Sequence, residues 1–168
     1  MIISIIYLVL SFILDNFMSN IFPSTLNDAS IFTTIYIIIS FVVIYNYFDN
    51  DKKYFILLII FGLLFDMLYT GTFIFNVVLF LCIGIFIKIL NNIFPINIFT
   101  INIISLFSIC LYHIMSFIIL SLVSNIDYSF MLLINIIIGS ILMTIIYTSI
   151  SYFVMKYIYN KFNVKYIK

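Results

Sequence analysis

Phe61-Gly62-Leu63-Leu64-Phe65-Asp66-Met67-Leu68-Tyr69-Thr70-Gly71 places one carboxyl group inside an otherwise apolar run. A second apolar run opens directly after Gly71 and continues to Leu90. A helix needs roughly 20 apolar residues to cross the bilayer core, so the stretch reads as two membrane helices joined by a very tight turn, with Asp66 at membrane depth. An ionisable group in that position is a functional-site hypothesis by default.

Outward from this hairpin, punctuation by Pro, Gly, Asn, Asp and Lys divides the 168 residues into six apolar runs. They cover about 2 to 22, 30 to 48, 54 to 70, 72 to 90, 98 to 123 and 130 to 155. The breaks fall at Pro23 to Asp28, Asp49 to Lys53, Thr70 with Gly71, Asn91 to Asn97 around Pro95, and Ser124 to Tyr128. None is long enough to hold a soluble domain, so residues 1–168 read as one all-α, polytopic integral membrane domain of about six helices. Composition agrees: the chain is 66% hydrophobic and 8% charged, with a mean hydropathy of +1.35, more apolar surface than a soluble domain can cover. The start, Met1-Ile2-Ile3-Ser4, lacks the basic region of a secretory signal, and the first run is expected to stay attached.

Lysines set the expected orientation, because positively charged loops stay cytoplasmic. Lys52, Lys53, Lys88, Lys156, Lys161, Lys165 and Lys168 all fall on one side if both termini are inside, while the opposite loops carry Asp28 and Asp127. Tyr54, Tyr128, Tyr152 and Tyr157 are expected near the interfaces. In this topology Asp15, Asp66, Asn76, His113 and Asn135 lie between mid-membrane and the outer surface. Asp15 is ambiguous, since a slight shift of the first run brings it near the outer interface, where a carboxylate is inexpensive.

Asp66 and Asn76 stand five residues either side of Gly71, so at about 1.5 Å rise per residue they share a depth and can hydrogen-bond across the hairpin. A neutral carboxyl at Asp66 could both donate and accept there. Gly62, Asp66 and Thr70 repeat every four residues on one helical face. Ser4, Ser11, Asp15 and Ser19 form a stripe on the first run, and Ser140, Thr144 and Thr148 another on the sixth. In lipid, helices associate through such small and hydrogen-bonding residues; the competing reading is a polar cleft open to the outside.

Glu, Arg, Gln and Trp are absent and Ala29 is the single alanine, a bias that AT-rich codon usage explains better than any activity. The net charge of +1 carries no basic run beyond the C-terminal lysines, so nucleic acid is not an expected partner. Cys82 and Cys110 read as packed small apolar residues, and the lone His113 as a packing histidine. The chain holds no HExxH, GxSxG or Walker-type loop. Neither cofactor, metal nor catalytic activity is expected.

The hairpin resembles the central signature of the MreD family of rod-shape-determining membrane proteins. The resemblance rests on Gly62-Leu63-Leu64-Phe65-Asp66-Met67-Leu68, then Gly71 and Asn76 opening the next run, with Asn27-Asp28 ahead of the second run. The motif covers about fifteen residues; the proline that often precedes that aspartate is missing, and Phe73-Ile74-Phe75 stands in place of a glycine usually found close before the asparagine. The resemblance implies a non-catalytic scaffold of the bacterial plasma membrane that binds the bitopic protein MreC. Through it the chain would link the MreB filament to RodA and its penicillin-binding transpeptidase, and a homodimer is compatible with that role. Candidate structural or partner-contact residues are Asp66, Gly62, Thr70, Gly71, Asn76 and Asp15. The alternative is the substrate-binding S component of an energy-coupling-factor vitamin transporter, a six-helix membrane protein of similar size. Against it, the first run lacks repeated alanines and the first outer loop is short for a lid.

Overall fold

The computed structural model describes residues 2–21, 34–48, 50–71, 73–123 and 130–162. Among these, every regular element is helical: α1 (Ile2–Ile21), α2 (Tyr36–Tyr45), α3 (Asp51–Phe65) running into a π-helical turn (Asp66–Thr70), α4 (Phe75–Ile93), α5 (Ile98–Val123) and α6 (Phe130–Lys161). Asp51–Thr70, Phe75–Ile93, Ile98–Leu122 and Phe130–Lys161 are each long and apolar enough to cross a membrane, and α1 and α2 add shorter apolar helices. The chain is an all-α polytopic membrane protein, as its hydropathy implied.

The second run departs from the expected span over 30 to 48. Its described helix has ten residues, about 15 Å at 1.5 Å per residue, which is half of a bilayer core. All ten are buried. A helix that is hydrophobic all round belongs inside a protein rather than at its surface, and α2 packs against α1, α4, α5 and α6. Thr34 and Ile35, just before it, are non-helical and still enclosed or partly so. Irregular backbone at membrane depth is tolerated only where protein or a cavity surrounds it.

Ring contacts locate the centre of the bundle. Phe41 of α2 meets Tyr54 and Phe61 of α3 and Phe80 of α4 edge-on, with centroids 5.5–6.4 Å apart. Phe12 of α1 packs edge-on against Phe61, Phe65 and Tyr69. Edge-to-face pairs add to simple area burial because a ring's positive edge meets a negative face. Two tyrosines expected at the interfaces are core residues instead: Tyr54 is fully buried and donates to the Phe41 carbonyl at 3.4 Å, and Tyr152 is buried on α6. Tyr157 is exposed, and Tyr128 lies outside the described residues.

The helix ends gather as an up-and-down chain requires. Ser4 of α1 shares a hydrogen bond with Tyr159 of α6, and Tyr47, just past α2, stacks on the same Tyr159 ring at 3.9 Å. Tyr45 donates to Asp51 at 3.4 Å, and Asp51 pairs with Lys88 at 2.9 Å. Lys52, Lys53, Lys88, Lys156 and Lys161 therefore share one end of the bundle. Lys165, Lys168, Asp28, Asp127, Pro23 and the pair Asn27-Asp28 lie outside the described residues.

Candidate functional site

Helix α4 begins with a problem that its own sequence does not solve. The first N–H groups of a helix have no intrahelical acceptor, and a Ser, Thr, Asp or Asn side chain at the N-cap supplies one. Here the N-cap is Ile74, which has no oxygen to offer and sits in the left-handed region at φ 68°. Asp66 supplies the missing cap from across the hairpin. The Asn76 N–H donates to both Asp66 carboxyl oxygens at 2.9 and 3.1 Å, and the Val77 N–H reaches Oδ2 at 3.4 Å.

Side chains close the same clasp. Asn76 Nδ2 donates to Asp66 Oδ1 at 2.8 Å, as the shared depth predicted, and to Thr70 Oγ1 at 3.3 Å. Thr70 Oγ1 in turn donates to Asp66 Oδ1 at 3.3 Å. Asn76 also accepts from Tyr112 Oη of α5 at 2.8 Å through its Oδ1. Asp66 and Asn76 are almost entirely buried, at 1% and 0% exposure.

The backbone shape that brings these groups together is local. The π-helical turn Asp66–Thr70 widens the last turn of α3, and Gly71 ends it at φ 60°, a conformation glycine adopts without a Cβ penalty. Gly62 then permits the close approach: a Cβ built there would stand 2.7 Å from the Val77 Cα. Gly62, Asp66, Thr70, Gly71 and Asn76 thus form one unit.

Asp15 performs the same task on the other half-buried start. Ile35, the N-cap of α2, is extended and makes no side-chain cap. The Tyr36 and Ile37 N–H groups donate to Asp15 Oδ1 and Oδ2 at 2.7 and 2.9 Å. Asp15 therefore lies inside the bundle. Two intramembrane carboxylates, on α1 and on α3, each hold the N-terminus of the helix that follows. Negative charge is favoured there because the N-terminal end of a helix carries the positive pole of its dipole.

The hydroxyl stripes are interior and join helices. Ser11 shares a 2.9 Å hydrogen bond with Tyr147 of α6 and accepts from Ser40 of α2. Thr34 donates to the Ser140 carbonyl at 3.1 Å, and Thr144 Oγ1 donates to the same oxygen from within α6 at 2.7 Å. Thr148 is fully buried; the side chain of Ser19 is outside the described set.

His113 and Asn135 do not join the carboxylates. The Tyr112 ring lies edge-on to the imidazole of its neighbour His113, with centroids 5.7 Å apart. With Ser116, Phe117, Leu120, Leu132, Leu133 and Ile136, His113 lines a cavity of about 200 Å³ between α5 and α6. Asn135 is exposed on α6. Among the described residues no three His, Cys, Asp or Glu side chains gather as metal ligands, and Cys82 and Cys110 are free thiols. Tyr112 is the site residue that sequence reasoning missed. In a chain with 13 tyrosines nothing marks this one out.

Comparison with protein-family models, with curated proteins and with solved structures found no match for this chain.

Proposed function

We propose that the chain is a non-catalytic membrane scaffold of the MreD type in the bacterial plasma membrane. In this role it binds MreC and through it links MreB to peptidoglycan synthesis by RodA and a penicillin-binding transpeptidase. The observation that carries the reading is the Asp66–Asn76 clasp: the residues on which the resemblance rests are the ones that fix α3 against α4. Its carboxyl oxygens are engaged by helix N–H groups, which suits a positioning role better than proton transfer.

The S-component reading draws on a separate observation, the cavity beside His113 and Ser116. Its volume of about 200 Å³ is below the roughly 300–1,000 Å³ usual for small-molecule sites. Depletion in the native host, scored for both cell shape and vitamin uptake, separates the two. Rounded cells with normal uptake are expected; loss of uptake in normally shaped cells would overturn the proposal.

A further inference from the structure

Asn135 is a polar side chain that the fold leaves exposed at membrane depth on α6. The apolar part of α6 runs from Phe130 to Met155, ahead of Lys156. At 1.5 Å per residue Asn135 lies about 11 Å from its middle, inside a hydrocarbon half-thickness of about 15 Å. Its side chain is exposed and makes no hydrogen bond to any described residue. Acyl chains offer an amide no partner, and polar groups within membrane helices face a bundle interior, a wet cavity or another helix.

The surroundings of Asn135 suit another helix. Helix α6 is the least enclosed of the four long helices, with 17% of its most apolar stretch buried against 28–39% for the others. Met131, Asn135, Ile138, Leu142 and Ile145 are all exposed and follow one another at alternating steps of four and three. That spacing repeats every seven residues and forms the seam along which two parallel helices supercoil. A single asparagine within such a seam fixes register and the number of strands.

We propose that the outer face of α6 is a homodimer interface in which Asn135 of one copy pairs with Asn135 of the other. The choice of a second copy follows from the chemistry of the amide, which has one donor group and one acceptor group and so complements itself. A two-fold axis along the membrane normal places the two Asn135 side chains opposite each other at one depth, with no register left to choose. Such an interface is isologous, using the same patch on both subunits. The inference goes beyond the scaffold reading and holds whatever activity the chain has.

Cysteine cross-linking of the full chain in native membranes tests it, with Cys82 and Cys110 replaced by serine. Ile138→Cys is expected to give a disulfide-linked dimer on mild oxidation, while Ile13→Cys on α1 and Phe107→Cys on α5 give little. Adding Asn135→Leu should weaken dimerisation roughly 3- to 18-fold, the range for one interhelical polar contact in lipid, and Asn135→Gln should retain most of it. Asn135 is exposed, so the leucine variant keeps its fold, which size-exclusion behaviour in detergent verifies. Equal cross-linking at seam and control positions, an adduct with a different protein at Ile138→Cys, or no effect of Asn135→Leu would each overturn the proposal.

Discussion

The Asn76 side-chain amide and its own backbone N–H converge on the Asp66 carboxyl group, ten residues earlier, at 2.8 and 2.9 Å. One residue thus donates twice to a group on the preceding helix, while its remaining side-chain oxygen accepts from Tyr112. Helices α3, α4 and α5 are tied at one depth by a clasp that no lipid could replace.

Removing the acceptor should be far more damaging than altering its charge. Asp66→Leu leaves the Asn76 and Val77 N–H groups buried without acceptors and the Asn76 amide nitrogen with only its longer contact to Thr70, a loss of about 3 kcal/mol or more. Asp66→Asn keeps one accepting oxygen and should fall between wild type and leucine in thermal unfolding in detergent. An asparagine variant as unstable as the leucine variant would mean that the negative charge itself is required.

Asp15 should act on one helix end and not on the whole bundle. Asp15→Leu strips the acceptor from Tyr36 and Ile37, so hydrogen exchange at their amides is expected to rise tenfold or more. Exchange in the middle of α4 should stay near its wild-type rate. A uniform rise across all helices would show that Asp15 supports global stability instead.

Two glycines should respond differently to an added methyl group. Gly62→Ala drives a Cβ toward the Val77 backbone, so a loss of about 2 kcal/mol is expected from overpacking, and Val77→Ala should not restore it. Gly84→Ala meets side-chain atoms of Leu58 and Phe55. Pairing it with Leu58→Ala should therefore show clear coupling in a double-mutant cycle, which the Gly62 pair should lack.

Ile74 is a β-branched residue at φ 68°, where L side chains are disfavoured. It is partly exposed, so little packing is lost on shortening it. Ile74→Gly is expected to raise stability by about 1 kcal/mol, the relieved strain less the entropy of glycine. Ile74→Val should give no such gain, and an unchanged melting temperature in the glycine variant would count against strain at this position.

Parts of the clasp were legible in the chain before any geometry was known. The depth shared by Asp66 and Asn76 follows from counting residues either side of Gly71, and their hydrogen bond followed. The interfacial reading of Tyr54 failed because position along a helix says nothing about which face looks inward. The full-length second span failed for a related reason: apolar residues from Tyr36 to Tyr45 read the same whether lipid or protein surrounds them. The sequence leaves Asp15 ambiguous because its acceptor duty toward Tyr36, twenty-one residues later, leaves no local pattern.

What the sequence alone determined is the solvent. Sixty-six per cent hydrophobic residues, broken into runs of bilayer length, dictate membrane helices because every backbone polar group in lipid must be satisfied within the protein. What only the tertiary structure decided is how the exceptions to that rule are met. Ile35 and Ile74 leave two helix starts uncapped, and the acceptors arrive from Asp15 and Asp66 on preceding helices. Capping across helices depends on where two segments meet in space, and an apolar chain, with so few distinguishing residues, records that meeting only in the rare carboxylates that make it possible.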